Sequence, residues 1–338
     1  MLYPFTFHPR FKERIWGGRR LAEMYGKALP AAVPIGESWE ISDRPGDESV
    51  IANGPFAGRS IRWLMEQHGA ALLGDAAAAA DGRFPLLCKI LDARDRLSLQ
   101  VHPPAAKAAA LGGEPKTEMW YIAGADPGAE LYVGLRRGMT RAEFESRIQT
   151  GDVAGCFHRI AVRAGDTMFL PSGRVHAIGA GLVIFEIQQN SDTTYRVFDW
   201  NRVGLDGRPR ELHLQQSLSS IDFDDFEPAL VETAWEASEG RTSRPLVRHP
   251  LFSVDLMRTE SSRPVRLTPG RAHVIAVTEG GVTLAAGGES LNLGAGEFAI
   301  VPAAVIDAQL HAKAEAGILI AVPGAATSVQ EHSLIPDP

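Results

Sequence analysis

The chain is poor in the features that mark several large protein classes. It has only two cysteines among 338 residues, Cys88 and Cys156. Each sits between apolar neighbours, in PLLCKIL and AGCFHRI, and reads as a buried free thiol rather than half of a disulfide framework. No apolar run approaches the ~20 residues that a membrane helix needs. The first residues, MLYPFTFHPRFKERIWGG, carry early charges and no continuous apolar core, so no signal peptide is expected there. Basic residues form no cluster, and the net charge is −7. That argues against a nucleic-acid or anionic-membrane surface, while leaving room for a small anionic substrate held by one or two local cations. A cytoplasmic location is the expectation.

What is present is apolar material for a core, at 45% of the residues, and a length that suits about two domains of ~150 residues. Short strand-like runs dominate, punctuated by Gly, Pro and Asp: FPLLCKILDA (84–93), RLSLQVH (96–102), EMWYIAGA (118–125), AELYVGL (129–135), HRIAVRAGDTMFLPSG (158–173), LVIFEIQQ (182–189) and TTYRVFDW (193–200). Such spacing predicts sandwich or jelly-roll architecture. Helices are expected over 60–74 and over 139–157. The second opens with Thr140 as N-cap and Glu143 three residues on, a capping-box pattern. The alanine tract at 76–80 reads as a helix end or loop.

An internal repeat supports two related barrels. VRAGDTMFLPSGRVHAI (162–178) aligns without gaps to LGAGEFAIVPAAVIDAQ (293–309), and RAHVIAVTEGGVTL (271–284) more loosely matches the strand pair around 118–133. A turn, a strand and a Pro-Ser/Ala-Gly/Ala corner is how a small barrel passes between sheets. A linker is expected around 236–245. His176 in the first copy corresponds to Asp307 in the second, which also lacks a Gln-Val-His counterpart. The chemistry is therefore expected in the first barrel.

Polar residues interrupt that barrel's apolar runs. Gln100 and His102 are two apart, so a strand would put them on one face. Glu118 opens the next strand-like run, and His176 follows the Pro171-Ser172-Gly173 corner. Polar side chains facing a core need partners. An ordinary hydrogen-bond network would satisfy them. So would zinc, or a similar divalent ion such as manganese or cobalt, since His, Glu and an amide oxygen make a mixed N/O ligand set. Glu186 and Gln188 share a face of their strand, opposite Phe185 and Ile187. Glu186 either pairs Arg196 or Lys116 or serves as an acid/base group. Arg196 is read as a buried ion-pair partner or a clamp for an oxygen-rich substrate. Trp16-Gly17-Gly18 reads as a turn with a packed indole.

These motifs together resemble the type I mannose-6-phosphate isomerases (phosphomannose isomerases) of the short bacterial form. The resemblance rests on IWGG (15–18), IGESWEISD (35–43), FPLLCKILDARDRLSLQVHP (84–103), KTEMWYI (116–122), LPSGRVHAIGAG (170–181), EIQQNSDTTYRVFDWNR (186–202) and GRPRELH (207–213), in family order along the whole chain. It implies a mainly β fold of two cupin-type jelly-roll barrels with a few short helices, a catalytic cupin domain over 1–240 and a degenerate second jelly roll over 241–338. It implies one zinc ion per chain, held by Gln100, His102, Glu118 and His176, other divalent ions being possible. The implied reaction interconverts mannose 6-phosphate and fructose 6-phosphate through a cis-enediol. Arg196 resembles the family's active-site arginine, Lys116 and Glu186 resemble pocket-lining residues, and Ser98 resembles a serine near the substrate phosphate.

The residue types suit that chemistry, with a cation and an arginine aimed at a developing oxyanion. Glu186, Lys116 or a metal-bound water could be the base; Glu186 with Lys116 nearby is preferred. Arg196, Lys116 and Ser98 could serve the phosphate. Departures from the family are the run PPAAKAAA after Val101-His102 and the Pro115 that precedes Lys116, which can move the loop carrying Lys116. Competing readings are an isomerase of an unphosphorylated or different aldose, a non-catalytic sugar-binding cupin, and an iron oxygenase. The last would want more histidines than the two in this constellation, His102 and His176.

Overall fold

A computed structural model describes residues 1–76, 78–79, 81–238, 240–259, 263–312 and 314–325. Ala77 and Ala80 of the alanine tract, Glu239 of the expected linker and the last 13 residues of the expected second domain lie outside the described residues.

The chain is mainly β, with few and short helices. A six-stranded sheet runs in the order Thr167–Leu170, Glu118–Ala125, Leu182–Gln189, Leu86–Ala93, Ile35–Ile41, Arg10–Gly18. A five-stranded sheet faces it, in the order Tyr195–Phe198, Leu99–Val101, His176–Ile178, Glu130–Leu135, Phe157–Ala161. Trp120, Ile122, Ile184 and Leu91 from the first sheet meet Leu131, Val133 and Ile178 from the second in one buried cluster. A second pair of sheets, of six and four strands, is built from residues 236–323.

The six-stranded sheet of the first pair is covered on both faces. Leu182–Gln189 shows how the sequence achieves this. Leu182 and Ile184 face the five-stranded sheet, while Val183, Phe185 and Ile187 join a cluster shared with the second pair of sheets. Phe185 stacks on Phe298 at 5.6 Å between ring centroids. Burial on both faces explains why this strand reads as a nearly continuous apolar run rather than a clean alternation. Against that background a polar residue such as Glu186 stands out.

The two copies of the repeat fold alike at their turns. Arg163 N donates to Asp166 Oδ2 at 2.8 Å, and Gly294 N to Glu297 Oε2 at 2.7 Å, around Gly165 (φ 93°) and Gly296 (φ 80°). Each copy then pairs its strand in the same register: Leu170 lies opposite Glu118, and Val301 opposite His273. His273 therefore stands where the first copy has Glu118. Asp307, aligned with His176, turns instead to accept a bond from Gly287 N at 2.9 Å.

Some local expectations change. The helix over 60–74 runs Ile61–Leu73, its Ser60 cap accepting from Trp63 N, and breaks its helical backbone at His68. The helix over 139–157 ends at Thr150, where Gly151 turns left-handed, and a 3-10 turn covers Val153–Cys156. Thr140 caps it, accepting from Glu143 N at 3.2 Å, but the Glu143 carboxylate pairs Arg147 rather than closing the capping box. The expected linker instead forms part of an antiparallel hairpin, Glu236–Ser238 against Arg241–His249. Trp16-Gly17-Gly18 is the end of a strand, not a turn, because Gly17 packs directly against the Ile35–Gly36 backbone, where a Cβ would clash. Cys88 and Cys156 are buried free thiols.

Replacing Phe185 by Ala removes a fully buried ring between the two halves, and is expected to lower stability by ~3–5 kcal/mol. Thr140→Ala, which loses one cap, is expected to cost ~1 kcal/mol. Urea titration followed by circular dichroism checks both; equal effects would refute the packing argument.

Candidate metal centre and active site

Register brings the site together. In the five-stranded sheet Arg196 lies opposite Gln100, and Gln100 opposite His176, making one cross-strand row. In the six-stranded sheet Trp39, Lys89, Glu186 and Trp120 form another row, again by direct pairing. Glu118 lies two residues from Trp120 on the same face, opposite Gln188. The two rows look at each other across the barrel interior.

His176 owes its position to the corner before it. Arg174 N bonds to Pro171 O at 3.2 Å, closing a tight turn in which Gly173 takes φ 96°. That conformation is open to glycine and strained for other residues. Gly173 N also donates to His102 O at 2.8 Å, which ties the corner to the strand end bearing His102.

His102, Glu118 and His176 offer ligand atoms all within 4.8 Å of one another, and all three are buried. The imidazole Nδ1 atoms face carbonyl oxygens, Thr193 O at 2.7 Å and Arg174 O at 2.9 Å. A carbonyl only accepts, so Nδ1 carries the proton in both rings and each Nε2 presents a lone pair. Those Nε2 atoms lie 3.6 and 3.4 Å from the Glu118 oxygens. Burial lowers both histidines; Glu118 opposes this only in part, and His176 is pushed down to about 3. Burial alone would raise the Glu118 carboxyl, but the adjacent Lys116 ammonium acts against it, and the carboxyl is held well below the usual range.

Neither Glu118 oxygen receives a well-directed hydrogen bond. Lys116 Nζ approaches Oε2 at 2.5 Å as an ion pair and lies 3.2 Å from His102 Nε2. Gln100 completes the group. Its Nε2 is 3.3 Å from His176 Nε2, and its Oε1 is 3.3 Å from the Ser98 hydroxyl. A half-turn of the amide exchanges those two atoms. Two neutral imidazole lone pairs and an ionised carboxylate without directed donors make a group that could hold a divalent cation, with the Gln100 amide adjacent.

A cavity of about 680 Å³ adjoins this centre, with Gln100, Lys116, Glu186, Ser98 and Arg196 in its wall. Glu186 accepts from Trp120 Nε1 at 2.9 Å and lies 3.3 Å from Lys89 Nζ. Its carboxyl is raised by burial, which outweighs the nearby Lys116 and Lys89 ammoniums. Its ion-pair partner is thus Lys89, not Arg196 or Lys116, because Lys89 is the residue directly across the strand pair. Arg196 is neither a buried ion-pair partner nor fully engaged: Nη1 donates to Glu211 O at 3.2 Å, while its buried Nε has no partner. Arg210 is held by Asp199, at 2.7 and 2.5 Å.

Lys89, Glu37, Trp39 and Arg14 were not singled out from sequence. Glu37 accepts from Trp39 Nε1 at 2.6 Å and Arg14 Nε at 2.7 Å, and lies 3.7 Å from Lys89 Nζ. The one available signal was a lone lysine inside FPLLCKILDA, a strand otherwise apolar up to Asp92.

The family model described as phosphomannose isomerase type I, catalytic domain, matches residues 5–121. The chain is 37% identical to the mannose-6-phosphate isomerase of Streptococcus mutans, over 89% of this chain and 93% of that protein. It is similar in structure to the mannose 6-phosphate isomerase of Bacillus subtilis, with a TM-score of 0.86 and 31% identity over 95% of this chain and 99% of that one. A mannose 6-phosphate isomerase solved with zinc and yttrium shares the fold, with a TM-score of 0.72 and 20% identity over 96% of this chain and 100% of that one.

The Glu37 network makes a pH prediction. Burial opposes ionisation, but Lys89, Arg14 and Trp39 lower the carboxyl to about 2 from an ordinary 4.5. A depressed carboxyl stabilises the fold fully above the unfolded value and loses that contribution as pH falls toward the folded one. The stability advantage of wild type over Glu37→Gln is therefore expected to be constant above pH ~5 and to shrink below it, by up to ~1.4 kcal/mol per pH unit. Denaturant titrations from pH 3 to 7 measure it; an advantage that grows on acidification would refute the assignment.

Proposed function

The chain belongs to the type I mannose-6-phosphate isomerases, and we propose that its first barrel interconverts mannose 6-phosphate and fructose 6-phosphate through a cis-enediol in the cavity beside Glu118. The observation that carries this reading is the buried Glu118 carboxylate, flanked by two imidazole lone pairs and lacking directed hydrogen bonds. Gln100, His102, Glu118 and His176 would hold one zinc ion per chain. When bound, zinc supplies a Lewis acid for the oxygens on the two reacting carbons.

The chain's own residues do the rest. Glu186 takes the proton from C2 of the open-chain aldose. The C2–H electron pair forms the C1–C2 double bond as the carbonyl oxygen O1 gains a proton, giving the enediol. Glu186 then returns its proton to C1, and O2 becomes the new carbonyl as its proton leaves. Lys116, 2.5 Å from Glu118, is placed to carry the hydroxyl proton between O2 and O1. A carboxyl raised by burial is a better base than one in water, which suits Glu186. Lys89 and Trp120 fix its orientation.

Arg196 offers its unpartnered Nε to the oxygen-rich substrate, and Ser98, which also lines the cavity, adds a hydroxyl for the phosphate. Lys116 is held against Glu118, so it serves the reacting end of the sugar rather than the phosphate. The catalytic unit expected over 1–240 is assigned to the residues before Glu236, because Glu236–Ser238 already belongs to the non-catalytic second barrel. No helix among the described residues is long and apolar enough to cross a membrane.

His102→Ala is expected to lose the bound metal, measured by elemental analysis, and to lower kcat/KM for mannose 6-phosphate by at least ~10³. Glu186→Gln should keep the metal and lower kcat by ~10²–10⁴, with parallel loss of solvent hydrogen exchange at C2. A His102→Ala protein that retains metal and full turnover would sink the site. Equal turnover of mannose and mannose 6-phosphate by wild type would sink the substrate assignment.

A further inference from the structure

A second cavity, about 520 Å³, opens on the outer face of the five-stranded sheet, away from the barrel interior. Its wall includes Arg96, Arg136, Arg159, Tyr132, Trp200 and Glu227. Glu227 is already paired with Arg137 at 3.3 Å, and Arg159 with Glu130 at 2.5 Å. Arg96 and Arg136 have no carboxylate partner among the described residues. The Arg96 guanidinium lies instead over the Trp200 ring, 3.9 Å from its centroid. Two unneutralised guanidinium groups thus share one recess in a chain whose net charge is −7. Guanidinium forks match the geometry and charge of a phosphate dianion.

The recess is tied to the catalytic cavity through neighbouring residues. Trp200 Nε1 donates to Leu97 O at 2.6 Å, and Arg202 donates to Arg96 O at 2.5 Å. Leu97 and Ser98 line the catalytic cavity, as do Gly204, Asp206 and Arg210 on the loop that follows Trp200. Trp200 and Asn201 both take left-handed φ, 56° and 55°, which L side chains disfavour. The loop keeps this shape through its anchors at Leu97 and Arg96.

We propose that this outer recess is a second binding site, for a phosphate monoester, and that its occupancy acts on turnover through the Arg96–Trp200 contact and the 199–210 loop. Inorganic phosphate serves as the probe, at low ionic strength and with the metal-loaded full chain. Equilibrium dialysis is expected to count two phosphates per chain in wild type, one in Arg136→Gln, one in Arg196→Ala, and two in Arg136→Lys. With mannose 6-phosphate well below its KM, so that it leaves the recess empty, added phosphate is expected to change kcat/KM at least twofold more in wild type than in Arg136→Gln, whose basal kcat is unchanged and in which only competition at the catalytic cavity remains. The kinetic arm rests on the isomerase reading; the dialysis arm does not. A single phosphate per chain, lost in Arg196→Ala and kept in Arg136→Gln, overturns the site. Two phosphates with the same kcat/KM response in wild type and Arg136→Gln overturn the coupling. Loss in Arg136→Lys as in Arg136→Gln overturns recognition by charge.

Discussion

The first barrel depends on one buried carboxylate. Glu118 is fully removed from solvent and ionised, yet receives no directed hydrogen bond. An unpaired carboxylate at such depth would cost several kcal/mol. The Lys116 ammonium answers that charge, while two imidazoles with their lone pairs aimed inward and an amide within reach add donor atoms that a cation could satisfy. The carbonyls of Thr193 and Arg174 fix the imidazole tautomers, and so belong to the centre as much as the ligand atoms do.

The rest of the cavity repeats this logic across one sheet. Glu186 is buried beside Lys89, Lys89 reaches Glu37, and Glu37 is held by Arg14 and Trp39. The charges alternate along the row and each is answered. The two carboxylates end up unlike each other: Glu37, with three donors around it, is lowered, whereas Glu186, where burial prevails, is raised. A row of like strands therefore carries one firmly ionised acid and one that holds its proton more readily.

The second pair of sheets clarifies the first. Its turns and register repeat those of the first pair, down to the carboxylate that caps the turn before the strand. Where the first copy has Glu118, it has His273; where the first has His176, its Asp307 turns away to a hairpin. What it retains is apolar contact. Phe298 meets Phe185 on the back of the very sheet whose front carries Glu186. The second half thus covers the outer face of the first six-stranded sheet and lets that sheet be apolar on both sides.

The sequence by itself determined the strand-rich architecture, the repeat and the polar face that Gln100 and His102 share. Those follow from local physics: alternation sets which side chains share a face, and Gly173 marks the corner ahead of His176. The motifs also located Lys116, Glu186 and Arg196 in the cavity wall. Pairing across strands was not legible, because hydrogen-bond register joins residues distant in sequence. Glu186 meets Lys89 rather than Arg196 only because Leu182–Gln189 lies between Leu86–Ala93 and Glu118–Ala125. Glu37 and Arg14 entered the site by the same route. The hairpin at 236–249 and the strand at Trp16–Gly18 were misread for a related reason: Gly, Ser and Arg read as loop until a neighbouring strand supplies their hydrogen bonds. Sequence sets what each strand can present; tertiary register decides which charge each one faces.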